Sequence, residues 1–130
     1  MKTITSLFLA LSLTSLCAMA DLTPPPTREV AINVTGAYVP AGFDSTSSVY
    51  VVTNMILPNS CYKWARASVV HLPGNLHEVR SYANVSQGMC LMVLIPLNKE
   101  ISLGQMPSGQ HVVRFVNGDG TYVEKDLIIR

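Results

Sequence analysis

Charge is scarce in this chain. Of 130 residues, nine are Lys or Arg and eight are Asp or Glu, for a formal net charge of +1. No run of basic residues stands anywhere, and without a basic stripe to neutralise phosphates, nucleic acid is not an expected partner. Long apolar runs are missing after the first twenty residues. A bilayer-spanning helix needs about 20 apolar residues in succession, so no membrane span is expected beyond that point. Helical periodicity is missing too. No window sustains a 3.6-residue apolar repeat with caps at its ends, which argues against the helical classes. Catalytic signatures are equally absent. Serines are plentiful, yet none stands in Gly-x-Ser-x-Gly, and a nucleophile needs a base and an orienting group beside it. A glycosidase would have to draw its carboxylate pair from Glu29, Asp44, Glu78, Glu100, Asp119, Glu124 and Asp126. Of these, Asp119 belongs to a turn, and Glu124 and Asp126 to the solvent side of a strand.

What is present begins with an export signal. Lys2 is the only charge before Asp21, Ile4 to Leu16 is apolar with scattered Ser and Thr, and Ala18-Met19-Ala20 ends the segment. A charged start, an apolar middle and an A-x-A end form a signal peptide, with cleavage expected after Ala20. Lipidation at Cys17 is the weaker alternative, because Leu16 rather than a small residue precedes it. Residues 1–20 are therefore read as the leader. Residues 21–28 form an extended lead-in around Pro24-Pro25-Pro26, a triplet that excludes helix. Residues 29–130 are read as one domain, since about 110 residues are enough for one core and too few for two. The expected location is the periplasm or the extracellular space. In that oxidising setting, Cys61 and Cys90 are expected to form a disulfide.

Strand signals alternate with turn signals throughout the domain. Val30, Ile32 and Val34 alternate with polar or small neighbours, as a half-buried strand requires. Further strands are expected at Val49–Leu57, Cys61–Leu72, Leu76–Val85, Met89–Ile95, Lys99–Leu103, His111–Val116 and Thr121–Ile129. In the fourth segment, Tyr62, Trp64, Val70 and Leu72 are assigned to one face and Cys61, Ala65, Ala67 and Val69 to the other. Met89–Ile95 is the most apolar run after the leader and is placed in the middle of a sheet. Pro73-Gly74-Asn75 and Asn117-Gly118-Asp119-Gly120 read as hairpin turns. Seven or eight short strands with turns at regular intervals predict an all-β sandwich or small barrel of antiparallel strands, and the β-sandwich is favoured because Cys61 and Cys90 fall near the ends of two different apolar strands.

The stretch from Leu103 to Val113, followed by Val116-Asn117-Gly118, resembles small exported immunoglobulin-like domains. In such domains, Leu-x-x-Leu-x-x-Gly-x-Tyr leads into the second-to-last strand, and the Tyr ties the preceding corner to the backbone. Here Leu103, Met106, Gly109 and His111 stand at the four motif positions. The resemblance, over residues 103–118, implies an immunoglobulin-like sandwich with His111 replacing Tyr as the corner tie. It implies no activity.

Three functional readings follow. The first is a non-enzymatic exported domain that binds another protein of the envelope or extracellular space and needs no cofactor. Its candidate contact residues are Tyr38, Phe43 and Tyr50, which flank the long, weakly charged loop from Gly36 to Ser48. The second is a periplasmic copper-binding protein. Its candidate ligands are His71, His77 and His111 with Met106 or Met55, because imidazole and thioether suit copper; a hairpin at Pro73-Gly74-Asn75 would bring His71 and His77 together. The third is a small secreted hydrolase.

Overall fold

The computed structural model describes residues 26–130, all of it strands and connections. The expected leader and Asp21 to Pro25 of the lead-in lie outside the described residues. Thr27 and Arg28 already belong to a strand. Eight strands follow one another: β1 (Thr27–Ile32), β2 (Val34–Tyr38), β3 (Val49–Leu57), β4 (Tyr62–Leu72), β5 (Leu76–Ser86), β6 (Ile95–Gly104), β7 (Gly109–Val116) and β8 (Tyr122–Ile129). They form a five-stranded sheet and a three-stranded sheet of order β2-β3-β6. This is the all-β sandwich that the alternating pattern implies.

Strand β5 is the hub of the larger sheet. One edge pairs with β4 along its length, from Leu72↔Leu76 to Tyr62↔Val85. The other edge is divided. Residues Ser81–Ser86 pair antiparallel with β1, while Leu76–Val79 pair with β7. The β5–β7 ladder runs parallel, so the expectation of a wholly antiparallel sandwich is corrected at this one pairing. Parallel neighbours need a crossover connection, and β6, lying in the other sheet, supplies it.

The two inner faces meet in one core. Ile32, Val34, Val49, Val51, Met55, Leu57, Val79, Ala83, Ile101, Leu103, Met106, Val113, Phe115, Leu127 and Ile129 are buried there. Strand β3 shows the alternation plainly: Val49, Val51, Thr53, Met55 and Leu57 are buried while the residues between them are not.

Two assignments from the sequence are corrected. In β4 the ladder shifts between Trp64 and Arg66, and this bulge inverts the phase of the side chains. Tyr62 and Trp64 thereby share the inward face with Ala67 and Val69, and all four pack on the core. A bulge puts two residues opposite one, which strict alternation does not anticipate. The second correction is Met89–Ile95. No strand exists before Ile95. Residues 87–94 connect β5 in one sheet to β6 in the other, and both edges of β3 are already taken by β2 and β6. Pro96 lies inside β6 opposite Ile56. It is tolerated because β6 is an edge strand with one edge unpaired.

The chain passes from one sheet to the other between β1 and β2 across a single residue, Asn33. The Asn117-Gly118 turn fastens this crossing. Val34 N–H donates to Asn117 Oδ1 at 2.9 Å, and Gly118 N–H donates to Asn33 Oδ1 at 3.1 Å. Gly118 approaches so closely that a Cβ there would stand 3.1 Å from the Ala31 carbonyl oxygen. Asn117→Ala leaves the N–H of buried Val34 without its acceptor. It should cost about 1–3 kcal/mol in urea unfolding, against less than about 1 kcal/mol for Asn33→Ala, whose partner is exposed. Equal costs would show that the Val34 bond does not fasten the crossing.

Candidate functional site

The three aromatic candidates have different surroundings. Tyr38, at the end of β2, is 62% exposed. Phe43 and Tyr50 are half-buried, with their rings edge to face at a centroid separation of 5.5 Å, and Phe43 packs on the core. The connection between β2 and β3 is an ordered turn. Asp44 Oδ1 accepts from Thr46 N–H at 2.8 Å, from Thr46 Oγ1 at 2.6 Å and from Ser47 Oγ at 3.1 Å. These bonds hold the carboxyl below its ordinary pKa, with the Thr46 hydroxyl the largest cause. The Phe43 carbonyl accepts from Arg130 N–H at 2.9 Å.

The three histidines come together. His71 and His77 are directly opposed across the β4–β5 hairpin, whose turn places Gly74 and Asn75 at positive φ. His111 enters from β7, which lies against the first residues of β5. The rings form a chain from the surface to the interior. His71 Nδ1 lies 2.6 Å from His77 Nδ1, His77 Nε2 lies 2.8 Å from His111 Nδ1, and His111 Nε2 lies 2.8 Å from the Pro107 carbonyl oxygen.

The carbonyl end settles the proton positions. Pro107 O only accepts, so His111 donates through Nε2–H and, when neutral, accepts at Nδ1. His77 then donates through Nε2–H and accepts at Nδ1, and His71 donates through Nδ1–H. Every nitrogen inside the chain is satisfied with three neutral rings. The His111–Pro107 bond also ties the corner before β7 to the backbone. His77 and His111 are buried and His71 is exposed. Burial, followed by the neighbouring His71 and His111, lowers the His77 pKa to about 4. Met106 and Met55 are buried in the apolar core. Among the described residues, no group of three or more His, Cys, Asp or Glu side chains is arranged to hold a metal ion.

A third feature is one that sequence reasoning misplaced. Met89, Leu91, Met92, Val93 and Leu94 all project from the connection between β5 and β6, each more than half exposed. Ile56 and Pro96, paired at the base of this loop and both exposed, extend the apolar surface. The loop is held at its root. Cys90 is bonded to Cys61 at the entrance to β4, with Cα atoms 5.3 Å apart. Ser60 N–H donates to Leu91 O at 3.1 Å, and Leu91 N–H donates to Ser60 Oγ at 2.7 Å. No Asp, Glu, Lys or Arg stands between Arg80 and Lys99. That uncharged stretch, with Gly88 and Pro96 punctuating it, was the available sign of a surface loop.

Residues 51–126 match the family model described as the ORF11 beta-sandwich domain, which is more than half of the chain. The chain belongs to the ORF11 β-sandwich domain family. The matched region takes in both bonded cysteines, the three histidines and the 87–94 loop; β1, β2, Tyr38, Phe43 and Tyr50 precede it. No curated protein and no solved structure matches the chain.

Two predictions follow from this ORF11 β-sandwich domain. Replacing Cys61 and Cys90 by Ala reopens a loop of about 30 residues, worth about 3–4 kcal/mol in chain entropy. Tm should fall by more than about 10 °C; an unchanged Tm would mean that the bond does not restrain the unfolded chain. The second concerns pH. His77 titrates near 4 when folded and near 6.5 when unfolded, so below pH 6.5 the unfolded chain takes up the proton first. Stability should be complete above about pH 6.5 and decline towards pH 4, by up to about 3 kcal/mol from this group. His77→Gln should flatten that slope relative to wild type in urea titrations; parallel slopes would refute the assignment.

Proposed function

We propose that this protein is a non-enzymatic binding domain that works outside the cytoplasm and docks through its 87–94 loop onto an uncharged apolar patch of a partner protein. The observation behind this reading is the run of large apolar side chains that a disulfide-anchored loop holds in solvent. Soluble domains rarely leave such a patch exposed without a use for it. Each of these side chains contributes about 1.5–3 kcal/mol on burial, and a loop pinned at its root loses less entropy on docking than a free one. The loop itself carries no basic residue, which favours a neutral protein surface over an anionic lipid surface that basic residues would recognise.

A non-catalytic role is supported by the histidine chain. Among the described residues, no Ser, Thr, Cys, Asp or Glu side chain hydrogen-bonds to any of the three rings, so the chain lacks a nucleophile to activate. Work outside the cytoplasm is supported by the leader pattern of residues 1–20 and by the compatibility of a disulfide with export. The corner tie from His111 to Pro107 favours the immunoglobulin-like version of the sandwich.

A photoreactive amino acid at Met92 tests the idea, with the same group at Ser45 as control. The Met92 probe should crosslink one protein that the Ser45 probe does not. That protein, once purified, should bind the wild-type domain in calorimetry and lose at least about 100-fold in affinity, some 2.7 kcal/mol, to Leu91→Asp/Met92→Asp with Tm unchanged. Undiminished binding by the double variant, or labelling of phospholipid alone, would reject the reading.

A further inference from the structure

We infer that the His71–His77 pair, at the solvent end of the histidine chain, binds a first-row divalent transition-metal ion of the kind imidazole prefers, Zn2+ or Cu2+, through the two Nδ1 atoms. The two residues are directly opposed in the β4–β5 ladder, so a three-residue turn and a full strand pairing set their spacing. Their Nδ1 atoms already face each other at 2.6 Å. Two imidazoles on a tetrahedral ion with metal–nitrogen bonds near 2.0–2.1 Å stand about 3.3 Å apart. The separation must grow by less than an ångström and one ring must also turn, by a swing of about 2 Å at its nitrogen, so that both lone pairs meet the ion at the tetrahedral angle. His71 can supply it, because it is exposed at the end of β4 while His77 is buried.

The interior of the chain acts as the support such a ligand needs. Metal-bound imidazoles commonly donate their second N–H to a fixed acceptor, which sets the tautomer and aims the lone pair. His77 donates to His111, which donates to Pro107 O. This relay holds the His77 Nδ1 lone pair outward, towards His71. Binding replaces one shared proton. The Nδ1 proton of His71 moves to its Nε2, which faces solvent, and both Nδ1 lone pairs go to the metal. Both rings stay neutral and no proton is released overall. Among the described residues no third His, Cys, Asp or Glu side chain completes the shell, and Met106 lies in the core. The remaining positions are therefore open to water or to a donor from another molecule, as in sites that retain an exchangeable position.

Calorimetry at pH 7.5 with Zn2+ alone, and separately with Cu2+ alone, tests the site. One equivalent per chain is expected. His71→Ala and His77→Ala should each weaken binding by more than about tenfold, and His111→Asn by about 10–100-fold through loss of the support. The Cu2+ complex should show superhyperfine coupling to two nitrogens. His71 is exposed, so His71→Ala carries the test even if the buried variants fail to fold. No binding by wild type, or equal binding by His71→Ala, overturns the inference. Leu91→Asp/Met92→Asp should bind metal as wild type does, so failure of the docking reading and failure of this one are separable.

Discussion

Strand β5 divides its far edge between two partners, and the remainder of the molecule is arranged around that division. Its first residues pair with β7 and its last with β1, while β4 covers the opposite edge. Because β7 stops where β1 takes over, β1 ends beside the β7–β8 turn. There Asn33, Asn117 and Gly118 fasten the chain as it enters the second sheet. Because β7 lies against the start of β5, His111 meets His77. Because β5 ends in one sheet and β6 begins in the other, the connection between them has to cross the end of the sandwich.

That crossing carries an apolar sequence where composition alone would place a central strand. Backbone groups in a sheet centre need partners on both edges, and β3 has none to spare. The segment therefore leaves the sheets, and the bond from Cys90 to Cys61 holds it against the entrance to β4. An apolar loop at a sandwich end carries an aggregation risk.

The histidine chain solves a different problem. Burying polar rings without partners is costly, yet His77 and His111 are both buried. The cost is offset by directing every N–H inward along one line to a backbone carbonyl. His77 must stay neutral to accept from His71 at Nδ1 while donating at Nε2, which links the packing of this end of the sandwich to acidity. The line also turns the His77 Nδ1 lone pair outward, towards His71.

Much of the architecture was legible in the residues alone. The strand at Val49–Leu57, the turns at Pro73-Gly74-Asn75 and Asn117-Gly118-Asp119-Gly120, and the pairing of Cys61 with Cys90 are local or compositional signals. The hairpin that opposes His71 and His77 belongs with them. The bulge in β4, the parallel β5–β7 ladder, the entry of His111 into the chain and the exposure of Met89 to Leu94 were decided only by the tertiary structure. Each depends on which edges were already occupied when distant strands met, and edge occupancy is a property of the assembled sheets that no window of sequence contains.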